Sequence, residues 1–180
     1  HVSARLDSAE LRCFEKTGSE WLPVDTIGNL SGYIGINGIS AGKSEGDGRT
    51  PAGLFRLGHA FGIREQPETK MAYRMITKDS YWVDDSDSRF YNMWFEGRRY
   101  DGWLSAEHLC DYPEQYAYAV VIEYNTAERI PGKGSAVFLH CGCKPTSGCI
   151  AVPEPQLLTI LKWLDPGKSP VILIKADKSD

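Results

Sequence analysis

Ala136-Val137-Phe138-Leu139-His140-Cys141-Gly142-Cys143-Lys144-Pro145-Thr146-Ser147-Gly148-Cys149-Ile150 holds both a strand-like apolar run and the residues from which chemistry can be argued. The run 136–140 ends in an imidazole that a sheet edge would present, Lys144-Pro145 signals a turn, and the second cysteine-bearing segment sits in turn chemistry rather than a core pattern. One cysteine and one histidine alone favour a structural reading, because free cysteines are among the most buried residue types. The turn and the strand end move the reading toward function. A thiol needs a base to become a thiolate near neutral pH, and imidazole is the side chain best matched to that task. His140 and Cys149 therefore read as general base and nucleophile, provided that the eight residues between them fold back, which Gly142, Pro145 and Gly148 permit. Gly148 lets the backbone pass close to a bound carbonyl, so that amides near Gly148 and Cys149 would face an oxyanion. Ser147 or a backbone carbonyl would orient the imidazole. This is the pattern of acyl transfer.

Outward from this stretch the chain reads as short strands. Tyr118-Ala119-Val120-Val121-Ile122-Glu123-Tyr124 and Leu54-Phe55-Arg56-Leu57 are two of them. Leu11-Arg12-Cys13-Phe14-Glu15-Lys16, the turn Thr17-Gly18-Ser19 and Trp21-Leu22-Pro23-Val24 predict a hairpin whose second strand proline weakens. Tyr33-Ile34-Gly35-Ile36-Asn37-Gly38 is a further β-like piece, and residues 42–53 form a loop. In residues 62–111, Tyr81, Trp82, Phe90, Tyr91, Trp94, Phe95, Tyr100 and Trp103 carry too much apolar surface for a solvated linker. Long loops and short elements of a binding kind are expected there. Pro153 and Pro155 suit a helix start, Leu157, Ile160, Leu161 and Leu164 form a stripe at helical spacing, and Pro166-Gly167 stops it. Pro170-Val171-Ile172-Leu173-Ile174 predicts a last strand. The fold class is mostly β with α, the helix lying near the C-terminus.

At 180 residues the chain is long enough for one domain with a real core, and 1–180 is read as one. A net charge of −4 and pI ≈ 5.6, with no Lys/Arg block, argue against nucleic acid or an anionic membrane as the main partner. No apolar stretch is long enough for a membrane span, and His1-Val2-Ser3-Ala4-Arg5 has no signal-peptide pattern. Five cysteines fit one functional thiol plus two disulfides, or five free thiols. Cys13 and Cys110 are as readily buried thiols as a bridge. Cys141 and Cys143, with only Gly142 between them, are too close for an easy disulfide and are expected to be packed or to line the site.

His140, Cys141, Cys143 and Cys149 also place four zinc-competent groups within ten residues. Cys-Gly-Cys is tighter than the usual ligand spacing and no second half of a knuckle follows, so no metal is expected. Gly42-Lys43-Ser44 resembles the end of a phosphate-binding loop, but Asn37 stands where its first glycine belongs. His59 and His108 have no spacing relation to Cys149 and read as structural.

Three ordered blocks carry a family resemblance: Glu45-Gly46-Asp47-Gly48-Arg49-Thr50-Pro51-Ala52-Gly53-Leu54-Phe55; Tyr81-Trp82-Val83-Asp84-Asp85 with Tyr91-Asn92; and Gly134-Ser135-Ala136-Val137-Phe138-Leu139-His140 leading to Ser147-Gly148-Cys149. The chain resembles the L,D-transpeptidases with the YkuD catalytic domain, which remodel bacterial peptidoglycan through a cysteine thioester. In the best-known members a histidine precedes the Gly-Cys and an arginine or asparagine follows two places after the cysteine. Ser147 and Ala151 stand there instead, so the sequence looks like a divergent branch with a Thr-Ser-Gly-Cys-Ile-Ala motif.

The resemblance implies a β-rich sandwich and a Cys149 nucleophile with His140 as general base and acid. It implies peptidoglycan stem peptides as substrate, susceptibility to carbapenem acylation, no cofactor, and a location outside the cytoplasmic membrane: periplasm, cell wall or secreted. Asp84, with Asp85 and Asp87, would meet a stem-peptide amine. Tyr81, Trp82, Tyr91 and Asn92 would border the substrate, and Arg49, Arg98 and Arg99 are candidates for its carboxylate. An L,D-carboxypeptidase on the same site, or a catalytically silent binding domain of the cell envelope, are the alternatives.

Overall fold

The structure, a computed structural model, describes residues 7–98 and 102–176. Arg99, Tyr100 and the N-terminal residues discussed above lie outside the described residues. The main sheet runs in the spatial order Ser8–Arg12, Asn29–Tyr33, Ile150–Val152, Phe138–Cys141, Ala119–Ile122, Gly53–Gly62, Val171–Ile174, and Tyr73–Met75 also pairs with the long Gly53–Gly62 strand. Pairing is mostly antiparallel, but Phe138–Cys141 with Ile150–Val152, and Gly53–Gly62 with Tyr73–Met75, run parallel. A second sheet of three strands places Ser80–Val83 between Met93–Glu96 and Ala106–His108. The helix Glu154–Trp163 follows Pro153. The β-rich architecture with one helix near the C-terminus is as expected.

Period-two alternation sorts the central strands between two cores. Val120, Ile122, Leu139, Cys141, Ile150 and Val152 face the helix, where Leu157, Ile160 and Leu161 are buried. Leu157 and Leu161 are fully enclosed, each contributing about 1.5–3 kcal/mol of burial. Ala119, Val121 and Phe138 face the other way, against Trp82 of the three-stranded sheet and against Leu109 and Tyr116. Phe138 meets Trp82 edge to face at 4.8 Å. His140, two residues beyond Phe138, lies on that second face, and Cys141 lies under the helix.

The early strands sit slightly differently from the sequence reading. The predicted strand at 11–16 divides at Cys13, where the chain leaves the main sheet for the hairpin Phe14–Thr17 with Glu20–Pro23. Gly18 turns this hairpin at φ +63°. The strand expected at 33–38 stands at Asn29–Tyr33 instead, because beyond Tyr33 the backbone turns to meet other loops. A Cβ on Gly35 would lie 2.4 Å from the Gly48 carbonyl. No described helix is long and apolar enough to cross a membrane.

Candidate active site

The parallel ladder pairs Leu139 with Ile150 and His140 with Ala151, which brings Cys149 beside Phe138. Residues 142–149 make this parallel return in fewer residues than usual. Their middle is pinned where Thr146 accepts from Ile36 N–H and donates to Ile34 O. Gly148 takes φ +149°, and a Cβ there would stand 2.9 Å from Arg49 O and 3.1 Å from Lys43 Nζ. The Thr146 hydroxyl accepts from Gly148 N–H at 3.1 Å and donates to Cys149 O at 2.7 Å. The Gly148 amide, expected to face an oxyanion, is therefore engaged in this turn. Ser147 is exposed and Cys149 half-buried.

The Cys149 thiol donates to Ala136 O at 3.2 Å, and its sulfur accepts from Phe138 N–H at 3.3 Å. Burial, then the charge of Glu107, push this thiol up to about 12, against the pull of Phe138 N–H and Lys43. His140 is only 7 % exposed. Its Nδ1 lies 2.7 Å from Cys141 O, and since a carbonyl can only accept, Nδ1 carries the hydrogen. The neutral imidazole then keeps its lone pair at Nε2. Burial holds its pKa below the ordinary value, partly countered by the Cys141 carbonyl. His140 and Cys149 share no hydrogen bond in this conformation, and each is neutral at rest.

Tyr116 sets its ring edge to face with His140 at 5.8 Å and gives its hydroxyl to Glu107 at 2.5 Å. Burial, with Asp84 and Glu45 adding to it, raises the Glu107 carboxyl to about 7 although the Tyr116 hydroxyl opposes this. Lys43, 8 % exposed, pairs with Asp47 at 3.0 Å. Asp47 also accepts from Ser44 N–H and Arg49 N–H. Glu107 and Tyr116 were not singled out by motif or spacing, and Lys43 only within the phosphate-loop resemblance that Asn37 rules out.

The residues expected to border substrate are placed otherwise. Asn92 is 3 % exposed and spends its amide on Trp82 Nε1, Ala136 N–H, Tyr124 O and Asn125 O. Tyr91 is 2 % exposed, giving its hydroxyl to Glu45 and accepting from Gly134 N–H. Trp82 is 4 % exposed. These three build the wall behind the site. Tyr81 stacks on His108 at 4.5 Å, lining a separate pocket of about 250 Å³ with Trp103, Ala106 and Asp111. Asp84 accepts from Ser105 Oγ and acts on Glu107. Asp85 accepts from Asp87 N–H and Leu104 N–H, and Asp87 is exposed. Cys141 is buried under the helix rather than lining the site, its thiol raised to about 11 by burial, and Cys143 is exposed.

A second cysteine and histidine also meet: Cys110 Sγ lies 3.1 Å from His108 Nε2. That nitrogen also faces Lys78 O at 2.7 Å and therefore carries a hydrogen, while Nδ1 faces Asp111 at 3.1 Å. With Nε2 already donating, His108 has no lone pair there to take the Cys110 proton. His108, Cys110 and Asp111 are the one group of three metal-competent side chains that comes together among the described residues.

Residues 24–173 match the YkuD family, the L,D-transpeptidase catalytic domain. The chain belongs to that family. No curated protein and no solved structure matches it. Family membership ties the chain to peptidoglycan as substrate and to L,D-transpeptidase chemistry as its general class. All five cysteines of this L,D-transpeptidase domain are free thiols.

Proposed function

We propose that the protein is a cysteine-dependent L,D-transpeptidase acting on peptidoglycan stem peptides outside the cytoplasmic membrane, with Cys149 as nucleophile and His140 as general base and acid. The observation that carries this reading is the parallel register that sets the half-buried Cys149, just ahead of Ile150–Val152, alongside the strand that bears the buried His140, whose imidazole is fixed as the Nδ1–H tautomer. Nε2 takes the thiol proton as sulfur attacks the amide carbonyl, then gives it to the departing amine of the D-residue. A thioester forms, and an acceptor amine attacks it to give the new amide. Because thiol and imidazole are both neutral at rest, proton transfer accompanies attack instead of preceding it.

Lys43 supports the same reading. Ala151 offers no polar side chain where the best-known members have arginine or asparagine, and it is 1 % exposed. Lys43 brings a cation to Gly148 from the opposite loop and lowers the Cys149 thiol against its burial. The test is intact mass after mixing the protein with an acyl-donor tetrapeptide and, separately, with a carbapenem. An adduct on the wild type and none on Cys149→Ala is the expected result. No adduct from either reagent, with the protein folded and the thiol free, favours a silent envelope-binding domain.

A further inference from the structure

Glu107 stands at the centre of a short strand, Ala106–His108, between two residues that line the outer pocket, so its own side chain belongs to the opposite face. There it accepts the Tyr116 hydroxyl, and the Tyr116 ring packs its edge against His140 and, at 5.8 Å, against Phe138, the strand neighbour of Cys149. Tyr116 is 5 % exposed and held on its other sides by Phe61 and Tyr112, so fixing its hydroxyl fixes the ring. We propose that Glu107 is a positioning residue for the Cys149–His140 pair, acting through Tyr116 on the imidazole and through its charge on the sulfur. In its assignment of nucleophile and base this rests on the function proposed above.

The charges around the pair give the second action its sign. Asp84 and Glu45 surround Glu107 with like charge, Tyr112 and Tyr116 are its phenolic neighbours, and Lys43, paired with Asp47, is the cation acting on the sulfur. Burial first, and then an ionised Glu107 that opposes a second negative charge, keep the Cys149 thiol protonated and slow toward stray electrophiles. Neutralising Glu107, by a proton or by a substrate ammonium, relieves that opposition. The carboxylate thus restrains the nucleophile until the site is filled.

Cys149 alkylation by iodoacetamide, followed across pH by peptide mass spectrometry, reads the sulfur directly: the S–C bond forms, iodide leaves, and the thiol proton goes to solvent. Glu107→Gln keeps an acceptor for Tyr116 and removes the charge. The expected result is a profile displaced to lower pH, with Cys149 labelled several-fold faster than wild type at pH 8, while buried Cys141 stays unlabelled as a sign of intact folding. Tyr116→Phe keeps the ring but removes the hydroxyl that holds the Glu107 carboxyl down, so Glu107 keeps its proton to higher pH; it is expected to displace the alkylation profile in the same direction as Glu107→Gln, by less, and to slow acylation by tetrapeptide. An unchanged Cys149 profile in folded Glu107→Gln overturns the proposal. A displaced profile in a protein that never acylates would leave the control of the sulfur standing and remove the transpeptidase reading instead.

Discussion

Asn92 Oδ1 accepts the Ala136 N–H at 3.1 Å, and the carbonyl of that same Ala136 receives the Cys149 thiol. Ala136 has φ +51° and Asn92 φ +56°, left-handed conformations that a buried amide helps to hold. Asn92→Ala strips partners from two buried donors and two carbonyls together. Urea unfolding is expected to show a loss of about 3–5 kcal/mol, and a loss within 1 kcal/mol would show that the network relaxes around the gap.

Gly148→Ala tests the tight return to Cys149. Its Cβ would meet the Arg49 carbonyl, which is backbone, at a φ that side chains rarely adopt. Thermal unfolding should report a loss of about 2–4 kcal/mol, and the adduct-forming rate should fall with it. Wild-type stability in the alanine variant would mean that residues 146–149 have another accessible path.

Lys43→Met removes the cation that draws Cys149 down and leaves Asp47 with its two backbone amides. Cys149 alkylation should move to higher pH, the opposite direction from Glu107→Gln. The nearly buried ion pair also makes this variant less stable, by about 3 kcal/mol. A profile that does not move would remove Lys43 from the electrostatics of the sulfur.

Glu107 also makes stability depend on pH. Its carboxyl is raised in the folded protein to about 7 from 4.5, so between those values the native state holds a proton that the unfolded chain has released. Glu107 therefore contributes stability that is complete below about 4.5 and declines as pH rises toward 7, by up to about 3 kcal/mol. His140, lowered by burial, contributes the opposite slope below its ordinary value of 6.5. The stability of Glu107→Gln relative to wild type should accordingly rise between pH 5 and 8 in parallel denaturant titrations. A constant difference would rule the linkage out.

Cys149 near His140 and Cys110 against His108 make different predictions for acylation. Cys110→Ala should form the carbapenem adduct at close to the wild-type rate, and Cys149→Ala should form none. Adduct mapped to Cys110 by peptide mass spectrometry would reverse the assignment.

What the sequence made legible here is what local pattern encodes. The stripe Leu157, Ile160, Leu161 and Leu164 fixed the helix, proline and glycine fixed its ends, and the apolar run before His140 fixed a central strand. The strand at 29–33 was read too late because Gly35 breaks the ladder through an approach to Gly48 that periodicity does not carry. The surroundings of Cys149 were legible only in part. Lys43 reaches Gly148 across about a hundred residues of chain, and the one local signal it offered was a resemblance to a phosphate loop. Glu107 and Tyr116 stand on short elements within or just after the irregular region, where no repeat marks an inward face. Tyr91, Trp82 and Asn92 were visible as a group, but residue type alone does not separate a wall from what stands behind it.

His140 and Cys141 are neighbours on one strand and face opposite cores. A one-residue slip of this strand would exchange them, burying an imidazole beneath the helix and setting a second thiol beside Cys149. The misregistered chain would hold two sulfurs where base and nucleophile belong, an invitation to oxidative cross-linking in an oxidising compartment. The helix face that encloses Cys141 with Leu157 and Leu161 thus proofreads the site from the far side of the sheet, because only the correct register leaves it without an unpaired ring nitrogen.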